Sequence, residues 1–301
     1  MPTTLTPDIR RISDLHLALG ECPTWDAQRQ QLWCVDSMKG RVYAIDTGTG
    51  SYHFQSIPAP AGSFALNDDG SVIVALKEQI ARLDPATGAL QPLADIDISL
   101  PHLRLNDGAA MPDGSFLVGS MHIFRDPGEA PQGGLYRLTR TGLLRLEATD
   151  VAVANGPCIS PVNQRLHVCD SAAKVIYSWE VDASGTLANR QVFARTEALN
   201  SAPDGCCFDS DGGLWTALVH AAAIARFDAH GTLTHRINLP VAHPASLCFG
   251  DAALDTIYIT SISDSGRLKA EGPLDGAILQ LRGTGFYGAP RPVCHINVAA
   301  C

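Results

Sequence analysis

The sequence predicts an all-β fold, a six-bladed β-propeller with four-stranded antiparallel blades, and three observations lead there. A turn-punctuated unit recurs six times, with openings near residues 21, 62, 106, 155, 203 and 244, and a period of roughly 40 to 50 residues suits one four-stranded sheet per repeat. No segment sustains an i, i+3, i+4 apolar stripe for three turns, so helices are not expected. Of the 301 residues, 46% are hydrophobic, which is enough to bury a large core without cross-links.

Each unit reads strand, Asp-Gly hairpin, strand, short loop, strand, Gly turn, strand. The first opens on Gly20-Glu21-Cys22-Pro23-Thr24-Trp25. The second runs Ser63-Phe64-Ala65-Leu66, then Asn67-Asp68-Asp69-Gly70, Val72-Ile73-Val74-Ala75-Leu76, Ile80-Ala81-Arg82-Leu83-Asp84 and Pro85-Ala86-Thr87-Gly88. The third opens on Arg104-Leu105-Asn106-Asp107-Gly108 and turns at Pro112-Asp113-Gly114 before Phe116-Leu117-Val118-Gly119. The fourth opens on Ala154-Asn155-Gly156-Pro157. The fifth opens on Pro203-Asp204-Gly205-Cys206, turns at Asp209-Ser210-Asp211-Gly212 and continues through Leu214-Trp215-Thr216-Ala217. An open β-sandwich does not explain why every unit restarts in the same turn order. Residues 1–301 are therefore expected to form one propeller domain, closed by pairing of the two chain ends.

A net charge of −9 argues against a general binder of nucleic acid or of acidic membranes, which needs a basic footprint. No apolar run is long enough to span a bilayer, and the first residues lack the charged and apolar regions of a secretory leader. A cytoplasmic location is the expectation. Nine cysteines include no Cys-x-x-Cys pair, and most fall in apolar strand-like runs. They read as reduced, buried core residues. Cys206 and Cys207 are adjacent, so on a strand they face opposite sides.

In a propeller the first strand of each blade lines the central channel. Glu21, Asn106, Asn155 and Asp204 are each expected just ahead of such a strand, converging on one mouth of the channel from four blades. Oxygen-bearing side chains gathered in that way suit a hard metal ion. Each residue also has an ordinary reading: Glu21 as a structural ion pair, Asp204 as a Pro-Asp-Gly turn, and Asn106 and Asn155 as turn asparagines. Position opposes the turn readings, because the hairpins of this chain fall between first and second strands. Asp107 is expected to brace its loop, and Asp68, Asp69, Asp113 and Asp211 are read as hairpin chemistry. His102 and His122 are placed near the pocket rim, whereas His167, His220, His235 and His243 lack zinc-site spacing.

Through these four motifs, in order and at blade spacing, nearly the whole chain resembles the senescence-marker-protein / gluconolactonase / regucalcin-like family of lactone hydrolases. The resemblance implies the six-bladed propeller and a single divalent cation held by Glu21, Asn155 and Asp204. It also implies substrate contacts at Arg104 and Asn106, with Asp204 as the catalytic base. After Gly119-Ser120-Met121 the chain departs from the pattern: members often carry a carboxylate there, and here His122-Ile123-Phe124-Arg125 follows, in a loop expected to cover the substrate.

The expected activity is metal-dependent hydrolysis of a sugar-acid lactone to the free aldonic acid. The partner is a small sugar lactone, and the protein is expected as a monomer or small homo-oligomer. Two carboxylates and an amide favour calcium, magnesium or manganese, while zinc and iron also accept carboxylate oxygen. Neither a dinucleotide fingerprint, a Walker loop nor a Gly-x-Ser-x-Gly elbow is present, which disfavours nucleotide cofactors and a serine esterase. The alternatives are phosphotriester cleavage at the same cation, a non-catalytic calcium-binding propeller and a sugar-binding regulator.

Overall fold

The computed structural model describes residues 2–96, 102–126, 128–146 and 150–296. Six sheets are arranged in a ring, each with its first strand innermost: Gly20–Asp26, Ser63–Leu66, Leu103–Ala110, Ala154–Ile159, Pro203–Phe208 and Pro244–Gly250 open blades 1 to 6. Neighbouring innermost strands touch around the whole ring, including blade 6 against blade 1. No α-helix occurs among the described residues; a 3₁₀ turn at Glu197–Leu199 is the only helical element there.

Inner strands are mostly buried along their length because both of their faces are covered, with the polar motif residues near their starts. A hydrophobic cluster fills each of the six junctions between adjacent blades. Successive residues of one strand serve opposite junctions. Phe64 and Leu66 pack toward blade 1 and Ala65 toward blade 3, while Cys206 joins the junction with blade 4 and Cys207 that with blade 6. The period of two is present, but it sorts between two cores rather than between core and solvent. All eight described cysteines are free thiols, seven of them buried. Cys301 lies outside the described residues. The outermost strands, such as Tyr52–Ser56, are largely exposed.

The ring closes by pairing of the two chain ends: Asp8–Arg11, near the N-terminus, supplies the fourth strand of blade 6 against Leu279–Arg282, the last strand among the described residues. One feature differs from the sequence expectation. Blade 5 carries a fifth strand, Thr3–Leu5, which runs parallel to Leu233–Asn238. The segment after Arg282 crosses the channel floor. It bonds to blade 5 through Ala289 N–H to Phe208 O (3.2 Å) and to blade 2 through Cys294 N–H to Leu66 O (2.8 Å), and between them Arg291 Nη1 donates to Pro23 O (2.9 Å).

Among the hairpin acids the structure adds Asp209, which is fully buried. It accepts hydrogen bonds from Trp215 Nε1 at 2.8 Å, Gly213 N at 2.7 Å and Arg226 Nε at 2.6 Å. Asp209→Ala leaves the Arg226 guanidinium buried without its counter-charge. We expect it to lower stability by about 3–5 kcal/mol, measured as a fall in the urea midpoint at unchanged slope.

Candidate functional site

The four motif residues lie within the innermost strands, not ahead of them, and a β-bulge aims them. Between Glu21 and Thr24 the first strand holds one residue more than its partner between Val35 and Trp33. The same extra residue occurs between Leu105 and Gly108, between Asn155 and Cys158, and between Pro203 and Cys206. A bulge re-aims side chains that regular alternation sends to a blade junction. The backbone cost falls on Cys22 (φ 52°) and on Gly156 (φ 53°). At Gly156 a Cβ would come within 2.5 Å of the Cys206 amide nitrogen, so only glycine fits. The four motif residues do not share one register: Glu21 and Asn155 hold the last paired position before the bulge, and Asn106 and Asp204 come one residue later.

Around the mouth the polar groups are interlocked. Asn106 Nδ2 donates to Asn155 Oδ1 (2.7 Å) and to Ala154 O (2.9 Å). Asn155 Nδ2 donates to Ser171 Oγ (2.8 Å), which in turn donates to Pro203 O (2.7 Å). This orients the Asn155 amide with its oxygen toward the site and joins blades 3, 4 and 5. Asp107 is buried and braces the loop, accepting from Gly108 N and Gly156 N at 2.8 Å each.

Glu21 Oε2 and Asp204 Oδ1 are enclosed, and neither has a hydrogen-bond partner among the described residues. No ion pair reaches Glu21 there, which removes its reading as a structural salt bridge. Burial pushes the Glu21 carboxyl well above the usual range, repulsion from Asp204 and Asp107 adds to this, and Arg104 opposes it. Asp204 is raised for the same reasons, burial first and then Asp107. The Arg104 guanidinium is lowered to about 10 by burial; Glu21 counteracts that fall and nearby Arg267 deepens it. Arg104 Nη1 donates to Leu105 O at 2.9 Å.

Uncompensated carboxylate oxygens forced together are costly, and a divalent cation relieves both the burial and the repulsion. The residues present fit such an ion: two carboxylates with open oxygens and an amide oxygen oriented from behind. Among the described residues no three His, Cys, Asp or Glu side chains form a metal cluster; the third donor here is an amide.

His122 is buried, and its Nε2 accepts from Gln132 N at 2.9 Å. That places the ring proton on Nδ1, which has no partner among the described residues. His102 is exposed and meets the ring of Phe124 edge-on. Sequence reasoning missed Ser171, which has no motif around it, and Arg267, which sits in a loop of blade 6 outside the four motifs. A cavity of about 300 Å³ opens at the other end of the channel, lined by residues such as Leu66, Phe208, Phe249 and Arg291. None of the candidate site residues lines it.

Residues 19–263 match the family model described as the SMP-30/Gluconolactonase/LRE-like region. The chain is 33% identical over 269 residues to the 6-deoxy-6-sulfogluconolactonase of Pseudomonas putida, covering 88% of this chain and 91% of that one. It is 31% identical over 291 residues to the L-arabinolactonase of Azospirillum brasilense, covering 93% and 96%. Among solved structures, the calcium-binding protein regucalcin of Agrobacterium tumefaciens superposes with a TM-score of 0.88 at 22% identity, over 98% of this chain and all of that one. No helix among the described residues is long and apolar enough to cross a membrane.

Proposed function

This chain belongs to the SMP-30/Gluconolactonase/LRE-like family, and from that premise we propose that it hydrolyses a sugar-acid lactone to the open acid in a reaction that depends on a divalent cation. The observation that carries the reading is the pair of enclosed, donor-free oxygens, Glu21 Oε2 and Asp204 Oδ1, beside an oriented amide. The sequence similarity to two sugar lactonases supports the substrate class.

Glu21, Asn155 and Asp204 would hold the cation, which when bound supplies Lewis-acid polarisation of the lactone carbonyl. Asp204 carries the second task. Its carboxylate orients the attacking water and accepts its proton as the carbon–oxygen bond forms. The ring ester bond then breaks, and the former ring oxygen leaves as a hydroxyl after taking up a proton. Asn106, whose Nδ2 is spent on Asn155 and Ala154, presents its Oδ1 as an acceptor to a sugar hydroxyl. Arg104 offers a planar fork of donors to the same substrate from the adjacent register. Asp107 acts through the backbone of Gly108 and Gly156, fixing the two openings that carry these groups.

A pH-indicator assay over a panel of aldonolactones, run with calcium, magnesium, manganese or zinc in turn, is expected to find turnover of at least one lactone. Glu21→Gln is expected to abolish that turnover with the fold intact. Undiminished hydrolysis after EDTA treatment rules out the cation, and organophosphates cleaved in place of lactones refute the substrate class.

A further inference from the structure

We propose that the substrate carries a second, anionic group remote from the ring ester, bound at the mouth by Arg267 together with Arg104. This inference rests on the lactonase reading above and names the substrate class within it. Arg267 lies in the connection between the second and third strands of blade 6, Thr256–Ser261 and Leu279–Arg282. The turn that carries it is pinned, with Leu268 N–H and Arg267 N–H both donating to Ser265 Oγ (2.9 and 3.4 Å) and Asp264 N–H to Ala18 O (3.0 Å). Leu268 packs on a small apolar cluster at the mouth face that includes Leu19, Val219 and Ile262.

From this anchored base the Arg267 side chain reaches the loop of blade 3, where its Nη2 donates to Ile123 O. Ile123 is itself held by its N–H on His102 O at 2.7 Å. Blades 3 and 6 stand opposite each other in a ring of six, so this contact crosses the opening, and it meets blade 3 beside the strand pair in which Arg104 faces Met121. Burial lowers the Arg104 guanidinium most, attraction to Glu21 opposes that, and like charge on Arg267 adds the least. Among the described residues neither forms an ion pair with a carboxylate.

Two guanidinium groups without a carboxylate ion-pair partner at one opening, each with donors left beyond its one backbone hydrogen bond, suit a carboxylate, phosphate or sulfonate. Depth decides which part of the substrate meets them. The enclosed carboxylates at the bottom suit the ring ester, and Arg267, exposed at the rim, meets the end of the molecule farthest from it. A neutral sugar lactone leaves Arg267 without a carboxylate or other anion to meet.

The test compares glucono-1,5-lactone with its 6-phospho and 6-sulfo counterparts and with a glucarolactone, on wild type, Arg267→Gln and Arg267→Lys. We expect wild type to favour the anionic lactones at least tenfold in kcat/KM. Arg267→Gln is expected to lose about 10- to 100-fold on them and to stay within about twofold on the neutral one, with Arg267→Lys recovering part of the loss. Which anion gives the largest preference separates phosphate, sulfonate and carboxylate. Equal handling of neutral and charged lactones by wild type overturns the proposal, as does an equal loss on both in Arg267→Gln without rescue by lysine, which marks Arg267 as a loop latch only. Calorimetric binding of 6-phosphogluconate and gluconate is read in parallel. If no lactone is opened the enzymatic reading fails, while the anion preference of Arg267 is still scored by that measurement.

Discussion

Asp204→Asn is expected to lower lactone turnover by about 10³-fold, within the span of a lost general base, while leaving the folded protein at least as stable as the parent. The split follows from what the side chain touches. Its Oδ1 has no partner among the described residues, and the strand is held at this point by backbone, with Thr216 Oγ1 donating to Asp204 O at 3.3 Å. In the metal-free protein the carboxylate adds only buried charge beside Asp107 and Glu21, and an amide of the same shape removes that repulsion. The measurements are kcat on the preferred lactone and the thermal midpoint in EDTA. Retained turnover would remove Asp204 from the chemistry. A collapsed midpoint would make it a structural residue.

The second large effect is a pH-dependent response to metal. Glu21 and Asp204 both have carboxyl groups raised in the folded state, by burial first and by neighbouring carboxylates next. Between the ordinary carboxylate range and those raised values the unfolded chain binds fewer protons than the folded one. Their contribution to stability is therefore complete in acid, below the unfolded values, and is lost as pH rises through the folded ones. A divalent cation substitutes for those protons, so its affinity climbs over the same window. The metal-free protein is expected to lose thermal stability from pH 5 to pH 8. Calcium, magnesium, manganese or zinc, whichever binds, should restore it more at pH 8 than at pH 5. At a cation concentration 100-fold above Kd the gain is about 2.7 kcal/mol, or roughly 5 °C for a chain of this size. The double variant Glu21→Gln with Asp204→Asn should flatten both the pH trend and the metal response. A midpoint shift of equal size at both pH values contradicts the carboxylate cluster as the binding site.

Much of the fold and several residues of the candidate site were legible before any coordinates. The Asp-Gly hairpins, the apolar runs and the restart of each unit locate all six innermost strands, because turn preference and hydrophobic pattern are written in adjacent residues. Glu21, Asn155 and Asp204 stood out as oxygen-bearing groups at the heads of apolar segments, where an unpaired acid is costly. Asp107 was also readable as a brace. His122 was less so: its place after Met121 suggested the rim, and the structure buries it with Nε2 taken by Gln132 N.

Other features have no local signature. A bulge is a difference in residue count between two paired strands, so the extra residue at Cys22-Pro23 exists only against Val35 and Trp33, and nothing within Glu21–Thr24 announces it. The two registers that carry the ligand candidates, the Asn106–Asn155–Ser171 chain across three blades, and the floor made by the segment around Arg291 follow from how the sheets meet. Arg267 is the clearest case. In the sequence it is one more polar loop residue, 163 positions from Arg104, and only closure of the ring sets blade 6 opposite blade 3 with that guanidinium over the opening. By itself the sequence determined the repeat, its turns and the acids and amides that head the inner strands, since short-range sterics and solvation decide those. The tertiary structure decided which of them share one space and what charge surrounds them, because Coulomb interactions and burial depend on distances that exist only once the ring has closed.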